Sequence, residues 1–265
     1  MLEYSDEQVE NLLKDIFDGV VTPYDLPEDL YYATADYLKK ALYKGFGGAL
    51  KDFAPGSKDA ELLTELRENV YMFSAAKTYE DVRNLTDALV DEDDNIRPFG
   101  EFRDVADGLL TKFNEDWLET EYETAIGQAQ NAVRWQNIEQ DKKTLPFLRY
   151  STVGDENTCE VCGPLNGVTL AVDDPFWNSF MPDNHFRCRC TVEQLDESAA
   201  EEETPADEVG DLATRTRQEM RPEFLMNPGK DKVIFSKEHP YFDVAPKDRD
   251  FAAKNFGLPI PEDDE

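Results

Sequence analysis

The chain has 265 residues, 58 acidic against 27 basic, for a net charge of −31 and a sequence pI near 4.3. Such a field repels phosphate backbones and anionic lipid, so strong non-specific nucleic-acid binding is not expected. No apolar run reaches the roughly 18 residues of a bilayer span, so no membrane partner is expected either. The length allows a real core, divided over about two units at roughly 100 to 200 residues per domain.

The first 140 residues read as helical. Ser5-Asp-Glu-Gln8 has the form of a capping box, in which serine and glutamine satisfy each other's orphan backbone N–H groups, and predicts a helix to about Phe17. Pro23 and Pro27 punctuate the connection. A second helix opens at Pro27-Glu-Asp-Leu30 with Leu30, Ala33, Ala35, Tyr37, Leu38 and Leu42 as its apolar face. Gly45, Gly47 and Gly48 weaken it, because glycine costs about 1 kcal/mol inside a helix, and the stretch ends near Pro55-Gly56.

Ser57-Lys-Asp-Ala60 begins a third helical region, with Leu62, Leu66, Val70 and Phe73 on one face, and further helix is expected over 79–90. Asp91-Glu-Asp-Asp94 and Pro98 break it. The longest element is predicted over about 101–140. There Phe102, Val105, Leu109, Phe113, Trp117, Ala125, Ala129 and Val133 track one face, while Glu115, Glu119, Glu121 and Glu123 decorate the rest. An aromatic stripe at this spacing is a core seam rather than a cofactor pocket.

Past Pro146 the texture changes. Leu148-Arg-Tyr-Ser-Thr-Val153 is rich in β-formers and reads as a strand. Asn166-Gly167, between apolar residues in Leu165–Leu170, signals a two-residue hairpin turn. Phe176, Trp177 and Phe180 occupy an irregular loop and are available to cover a small core. Pro182-Asp-Asn-His185 then turns the chain back.

All four cysteines and one of the two histidines lie between positions 159 and 190. They stand as Cys159-Glu-Val-Cys162 and His185-Phe-Arg-Cys188-Arg-Cys190. Zinc takes four N or S donors at tetrahedral corners, and a Cys-x-x-Cys turn supplies two from one tight loop while a distant group closes the chelate. The competing reading is a pair of disulfides. That needs an oxidising compartment, and no N-terminal apolar run resembles a signal peptide. Both cysteine groups must contribute, which favours Cys159, Cys162 and Cys190, with His185 or Cys188 as the fourth ligand. Two sulfurs of a Cys-x-Cys pair reach one ion only through a strained turn, which favours His185. Lys142, Lys143, Arg149, Arg187 and Arg189 are the candidates for a local basic patch, though cations beside a zinc site are more often solvated or paired with carboxylates.

From Glu193 to Glu208 there are eight acids and no basic residue, the texture of a solvated linker. A short helix is expected over 215–220. The remainder is punctuated by proline and carries Phe235, Tyr241, Phe242 and Phe256. Its composition fits equally a segment that wraps a partner and one that packs back on the body.

One ordered set of residues carries a resemblance. Trp117-Leu-Glu-Thr-Glu-Tyr-Glu-Thr-Ala-Ile-Gly-Gln-Ala-Gln130 is followed by Gly154-Asp155, Cys159-x-x-Cys162, Leu165-Asn-Gly167, Pro182-x-x-His185 and Cys188-Arg-Cys190. This series resembles the Mu F-like minor head proteins of tailed bacteriophages, also called the phage head morphogenesis family, over about 100–195. Each piece is weak alone and the ordered combination is specific. The resemblance implies a minor virion component of the phage head, associated with portal or other capsid proteins, present in the host cytoplasm during assembly and acting in prohead assembly or DNA delivery.

The expectation is therefore an α+β, predominantly α protein. It has an N-terminal helical region (1–100), a head morphogenesis domain with a small zinc-bound α+β module (101–195), and an acidic linker with an irregular C-terminal tail (196–265). Zinc is expected in a structural role, with no catalytic residue. Two alternatives are a ββα-metal-type nuclease and a phage-borne effector. The nuclease needs a histidine free to activate water, whereas His185 is taken as a ligand and His239 lies across the acidic stretch. The effector is limited by about 60 residues after the linker, too few for most catalytic domains. There is no Gly-x-Ser-x-Gly and no phosphate-binding Gly-x-x-x-x-Gly-Lys.

Overall fold

A computed structural model describes residues 5–111, 117–156 and 158–262. Its helices are α1 (Asp6–Phe17), α2 (Glu28–Phe46), α3 (Lys58–Asp87), α4 (Phe99–Thr111), α5 (Leu118–Asp141), α6 (Ala206–Glu219), α7 (Pro228–Asp231) and α8 (Arg249–Ala252). Three strands, β1 (Phe147–Ser151), β2 (Thr169–Ala171) and β3 (Thr191–Leu195), form an antiparallel sheet in the order β2-β1-β3. The fold is thus α+β and mainly α. No described helix is long and apolar enough to cross a membrane. The chain divides into two units, one of residues 1–41, 67–122 and 239–265 and the other of residues 42–66 and 123–238.

The first unit begins with the expected capping box. Gln8 N donates to Ser5 Oγ at 3.3 Å and Ser5 N donates to Gln8 Oε1 at 3.0 Å. Leu12, Leu13 and Ile16 of α1 join Leu30, Leu85, Phe102, Ala106 and Leu110 in one buried cluster. Each such Leu, Ile or Phe contributes about 1.5–3 kcal/mol relative to exposure. The third helical region and the expected helix over 79–90 are a single helix, α3, started by Ser57 Oγ accepting from Ala60 N at 3.2 Å.

The long seam over 101–140 differs in phase from its expectation. The chain forms two helices there, and Phe113 and Glu115 lie outside the described residues. In α4 the buried residues are Phe102, Ala106 and Leu110, while Val105 is 41% exposed. In α5 Leu118, Ala125, Ala129 and Ala132 are buried and Trp117 is 38% exposed. A stripe drawn as one continuous 3.6-residue period cannot follow a change of helix, so its phase slipped by one position in places. Glu121, expected on the solvent face, is buried. Its Oε1 accepts from Lys77 Nζ at 3.1 Å and from Tyr241 OH at 2.9 Å, and Lys77 also donates to the Tyr241 hydroxyl at 3.2 Å.

The end of the chain packs back on this unit. Tyr31 OH donates to the Pro259 carbonyl at 2.7 Å and Arg67 to the Pro261 carbonyl at 2.9 Å. Tyr79 stacks on Phe256 at 4.7 Å, and Asp248 accepts from Tyr24 and Tyr79. Irregular in backbone, the segment is ordered by its aromatic side chains and by carbonyls, which proline retains although it has no N–H.

The second unit is built on the sheet. Leu148 and Tyr150 of β1, Leu170 of β2 and Val192 of β3 meet Trp135 and Ile138 of α5, Phe176, Trp177, Phe180 and Met181 of the following loop, and Leu212 of α6. Gly45 remains inside α2 rather than ending it. A Cβ there would collide with the backbone of Ile126, so glycine permits the close approach of the two helices. Gly47, at φ +94°, ends the helix. Gln194 Nε2 donates to Ile138 O at 3.0 Å and Leu145 O at 2.9 Å, tying β3 to the chain leaving α5.

Two local expectations are corrected. Asn166-Gly167 does not close a hairpin of its immediate neighbours. Gly163–Leu165 forms a 3-10 turn and β2 pairs instead with β1, Leu148 opposite Leu170. Pro164 cannot donate to a ladder, so only the residues after the turn extend. The acidic stretch 193–208 is no free linker. It finishes β3, makes a 3-10 turn over Glu197–Glu202 that buries Ala199, and starts α6. Thr204 N donates to Thr169 O at 2.9 Å and Thr169 N to Thr204 Oγ1 at 3.0 Å. Ala199 faces inward and all eight carboxylates are left to solvent.

Candidate metal centre

The five candidate donors meet in the second unit. The chain leaving β1 passes Gly154, whose φ of +72° suits a residue without a Cβ, and reaches the Cys159–Cys162 turn. There Cys162 N donates to Cys159 Sγ at 3.3 Å and Gly163 N to Cys159 O at 2.9 Å. The first N–H folds the turn around the sulfur and the second closes it through the Cys159 carbonyl. Cys162 starts the 3-10 turn and is fully buried.

The second group comes from the loop before β3. His185 Nε2 lies 3.1 Å from Cys159 Sγ. The other ring nitrogen, Nδ1, is 2.8 Å from the Phe186 carbonyl. A carbonyl only accepts, so Nδ1 carries a proton, and a bound metal in place of any proton on Nε2 would leave that nitrogen as the ligand atom, the arrangement that orients histidine ligands in metal sites. Arg187, at φ +58°, bends the backbone through the left-handed region, and Cys188 N donates to His185 O at 3.2 Å. This tight turn lies in the His185-x-x-Cys188 segment, ahead of the Cys-x-Cys pair, and the left-handed conformation costs about 1–2 kcal/mol for a residue with a side chain.

The donors form two overlapping triplets, Cys159–Cys162–His185 and Cys162–Cys188–Cys190, each with its ligand atoms within 4.8 Å of one another. Cys162 belongs to both. Its sulfur is 3.9 Å from Cys188 Sγ, close to the edge of about 3.8 Å that two thiolates span on a tetrahedral zinc with Zn–S near 2.3 Å. All four cysteines are free thiols.

The electrostatics of the cluster call for positive charge. Hydrogen bonds from Cys162 and Cys190 hold Cys188 far below the usual thiol range, while Cys162, hydrogen-bonded to Cys188 and Cys190 and buried, is driven far above it. One thiolate forms at the cost of its neighbours. His185 is pushed up to about 9, first by its hydrogen bond with Cys188 and then, against the effect of burial, by Phe186 O and the thiolate charges. A divalent cation would relieve both conflicts, letting several thiols ionise and the imidazole stay neutral. The donor set therefore fits a soft-ligand metal such as zinc.

The surrounding polar groups are specific. Tyr150, fully buried on β1, donates its hydroxyl to Cys162 Sγ at 3.3 Å and accepts from Asn184 Nδ2 at 2.9 Å. Burial raises its hydroxyl well above the ordinary tyrosine value, so it keeps its proton. The half-buried carboxyl of Asp183 abuts Gly127 of α5, where a Cβ would collide with it. It is raised to about 7, by desolvation first and then by the negative charge of Cys188. Neither Tyr150 nor Asn184 was picked out from sequence. Tyr150 reads there as an ordinary strand residue, and only its position on the inward side of β1 aims it at the cysteine turn.

Four of the five candidate patch cations are tied to carboxylates. Arg189 makes a two-pronged contact with Asp155 at 2.8 Å, Arg187 pairs with Glu123 at 3.0 Å, Lys142 with Glu139 and Asp173, and Arg149 with Glu202.

The family model described as Phage Mu protein F like protein matches residues 56–193, just over half of the chain and including both ligand groups. The chain belongs to this family. The Mu-like prophage FluMu F protein of Haemophilus influenzae is 34% identical over 84 residues, which cover 32% of this chain and 19% of that protein. The match thus spans about a fifth of that relative's length. No solved structure matches the chain.

Proposed function

We propose that this protein is a non-enzymatic minor component of the phage head, acting in prohead assembly or DNA delivery near the portal and held in shape by one structural zinc. The observation that carries the reading is membership of the Mu F-like family over a span that contains every candidate donor. Cys159, Cys162 and His185 supply three ligands, and one sulfur of the Cys188–Cys190 pair completes the tetrahedron. A closed four-ligand site is structural, since catalysis at zinc needs an open position. The zinc would add folding free energy, since a site that exists only in the folded chain couples binding to folding. The five donors lie on loops that β1 and β3 bracket, where few backbone hydrogen bonds would otherwise fix the chain.

The non-enzymatic assignment draws support from the histidines. His185 sits inside the donor cluster, and His239 Nδ1 accepts from Tyr241 N at 3.3 Å while its ring meets Phe73 edge-on. Both are committed to structure in a way that a water-activating base is not.

Mass spectrometry of purified virions and of DNA-free proheads tests the role. The chain should be present in both at a fixed ratio to the portal protein. Absence from both, with secretion or delivery into the host instead, would replace assembly with the effector reading.

A further inference from the structure

Cys162 differs from the other donors in one respect. Cys159, His185, Cys188 and Cys190 are all partly exposed, so water can solvate the charge they carry. Cys162 is fully buried. A buried anion without a hydrogen bond is costly, and the sulfur must find its donor inside the protein. The Tyr150 hydroxyl stands at 3.3 Å.

The direction of that hydrogen bond is fixed by Asn184, itself fully buried. Its Nδ2 lies 2.9 Å from the tyrosine oxygen. An amide nitrogen only donates, so the oxygen accepts there and its single proton turns to the sulfur. Tyr150 is delivered by β1, whose register with β3 places it opposite Val192, two residues past Cys190. Asn184 immediately precedes His185. The relay therefore links the strand that leads to the first ligand pair with the loop that brings the second.

We propose that Asn184 and Tyr150 form a positioning relay that hydrogen-bonds the metal-bound Cys162 sulfur, setting how tightly and how inertly the zinc is held. The inference rests on the zinc reading above. Its physical basis is that a hydrogen bond withdraws electron density from a thiolate, which stabilises the ionised ligand in a dry site and makes it less reactive toward protons and competing metals. Loss of an outer partner of this kind typically costs about 10- to 100-fold in metal affinity.

The test uses the full chain loaded with zinc, or with cobalt(II) as a spectroscopic substitute, and compares wild type with Tyr150→Phe and Asn184→Ala. Chelator competition gives the zinc affinity and release rate. The cobalt form gives the energy of the sulfur-to-metal charge-transfer band. Far-ultraviolet circular dichroism checks that each variant is folded. Tyr150→Phe should still take one metal at saturation, hold it at least about tenfold more weakly, and shift the charge-transfer band to lower energy, because an unbonded thiolate gives up electron density more readily. Asn184→Ala, which keeps the hydroxyl but frees its proton to rotate, should shift both readouts the same way by less, and it carries the test if Tyr150→Phe fails to fold. A folded Tyr150→Phe with wild-type affinity and an unshifted band overturns the relay and leaves the zinc reading standing. A wild-type chain that takes up neither zinc nor cobalt overturns both.

Discussion

The two units of this molecule place their costly polar groups in opposite ways. In the helical unit, Lys77, Glu121 and Tyr241 hydrogen-bond one another in the dry interior, Lys77 fully buried and Glu121 nearly so, while Glu121 Oε2 and the buried Asp81 carboxyl beside them have no hydrogen-bond partner among the described residues. In the sheet unit the apolar core is complete in itself, around Trp135, Leu148, Leu170 and Trp177, and the ionisable cluster sits at its rim with only Cys162 fully inside. The helical unit thus carries its own counter-charge as a lysine. The sheet unit carries a cluster of thiols and an imidazole whose competing ionisation a cation from outside would relieve. The contrast teaches that a metal site need not stand in for a core. Here it would fix loops that a well-packed sheet and helix cannot fix alone.

The largest expected effect separates the two solutions. Cys162→Ser removes the donor shared by both triplets, and should abolish zinc binding and destabilise the segment between β1 and β3. Loss of a structural metal ranks among the substitutions that cost about 4 kcal/mol or more. Hydrogen exchange should show lost protection over 150–192 and unchanged protection in the second half of α3.

The reciprocal change is next. Lys77→Met leaves Glu121 and Asp81 without their cation, and breaking a buried pair from one side costs about 3–5 kcal/mol. Chemical unfolding followed by helix signal would show the loss, and zinc content should stay at the wild-type value. A fall in zinc content would break the independence of the two solutions.

A smaller effect sharpens the account of the helical interior. Burial pushes the Asp81 carboxyl up to about 7, with the charge of Lys77 opposing and that of Glu121 adding to the shift. A folded-state value above the unfolded one means that the folded chain binds the extra proton. Its stabilising contribution is full below about pH 4, near the ordinary aspartate value, and is lost as pH rises through 7. Asp81→Asn should flatten this slope, read as a smaller difference in melting temperature of the helical signal between pH 5 and pH 8 than in wild type.

The smallest effect concerns the surface. Arg189→Ala breaks an exposed two-pronged pair with Asp155, which solvent and salt screen. Thermal melting should barely move and zinc should be retained.

What could be read from the sequence follows from the range of the physics involved. The capping box at Ser5, the buried face of Leu62, Leu66, Val70 and Phe73, strand β1 and the aromatic loop at Phe176–Phe180 rest on local rules, and all are found in place. The Cys and His spacing was equally local, and the donors do converge. Partners set by the fold were invisible. Glu121 looked like a solvent-facing acid because Lys77 stands 44 positions away. The packed C-terminal segment depended on carbonyls of Pro259 and Pro261 meeting Tyr31 and Arg67, contacts that no composition records. β2 found β1 across the whole cysteine turn, so a local hairpin signal at Asn166-Gly167 named the turn and missed the pairing.

The central claim is that the Cys and His cluster holds one metal ion that staples the sheet unit. Native mass spectrometry of the full chain, purified under reducing conditions and measured before and after a strong chelator, addresses it most directly. The account predicts a mass increment of one zinc per chain that the chelator removes with loss of order over 150–192. A chain that carries no metal and a Cys159–Cys162 disulfide, or one that carries two zinc ions, would contradict it.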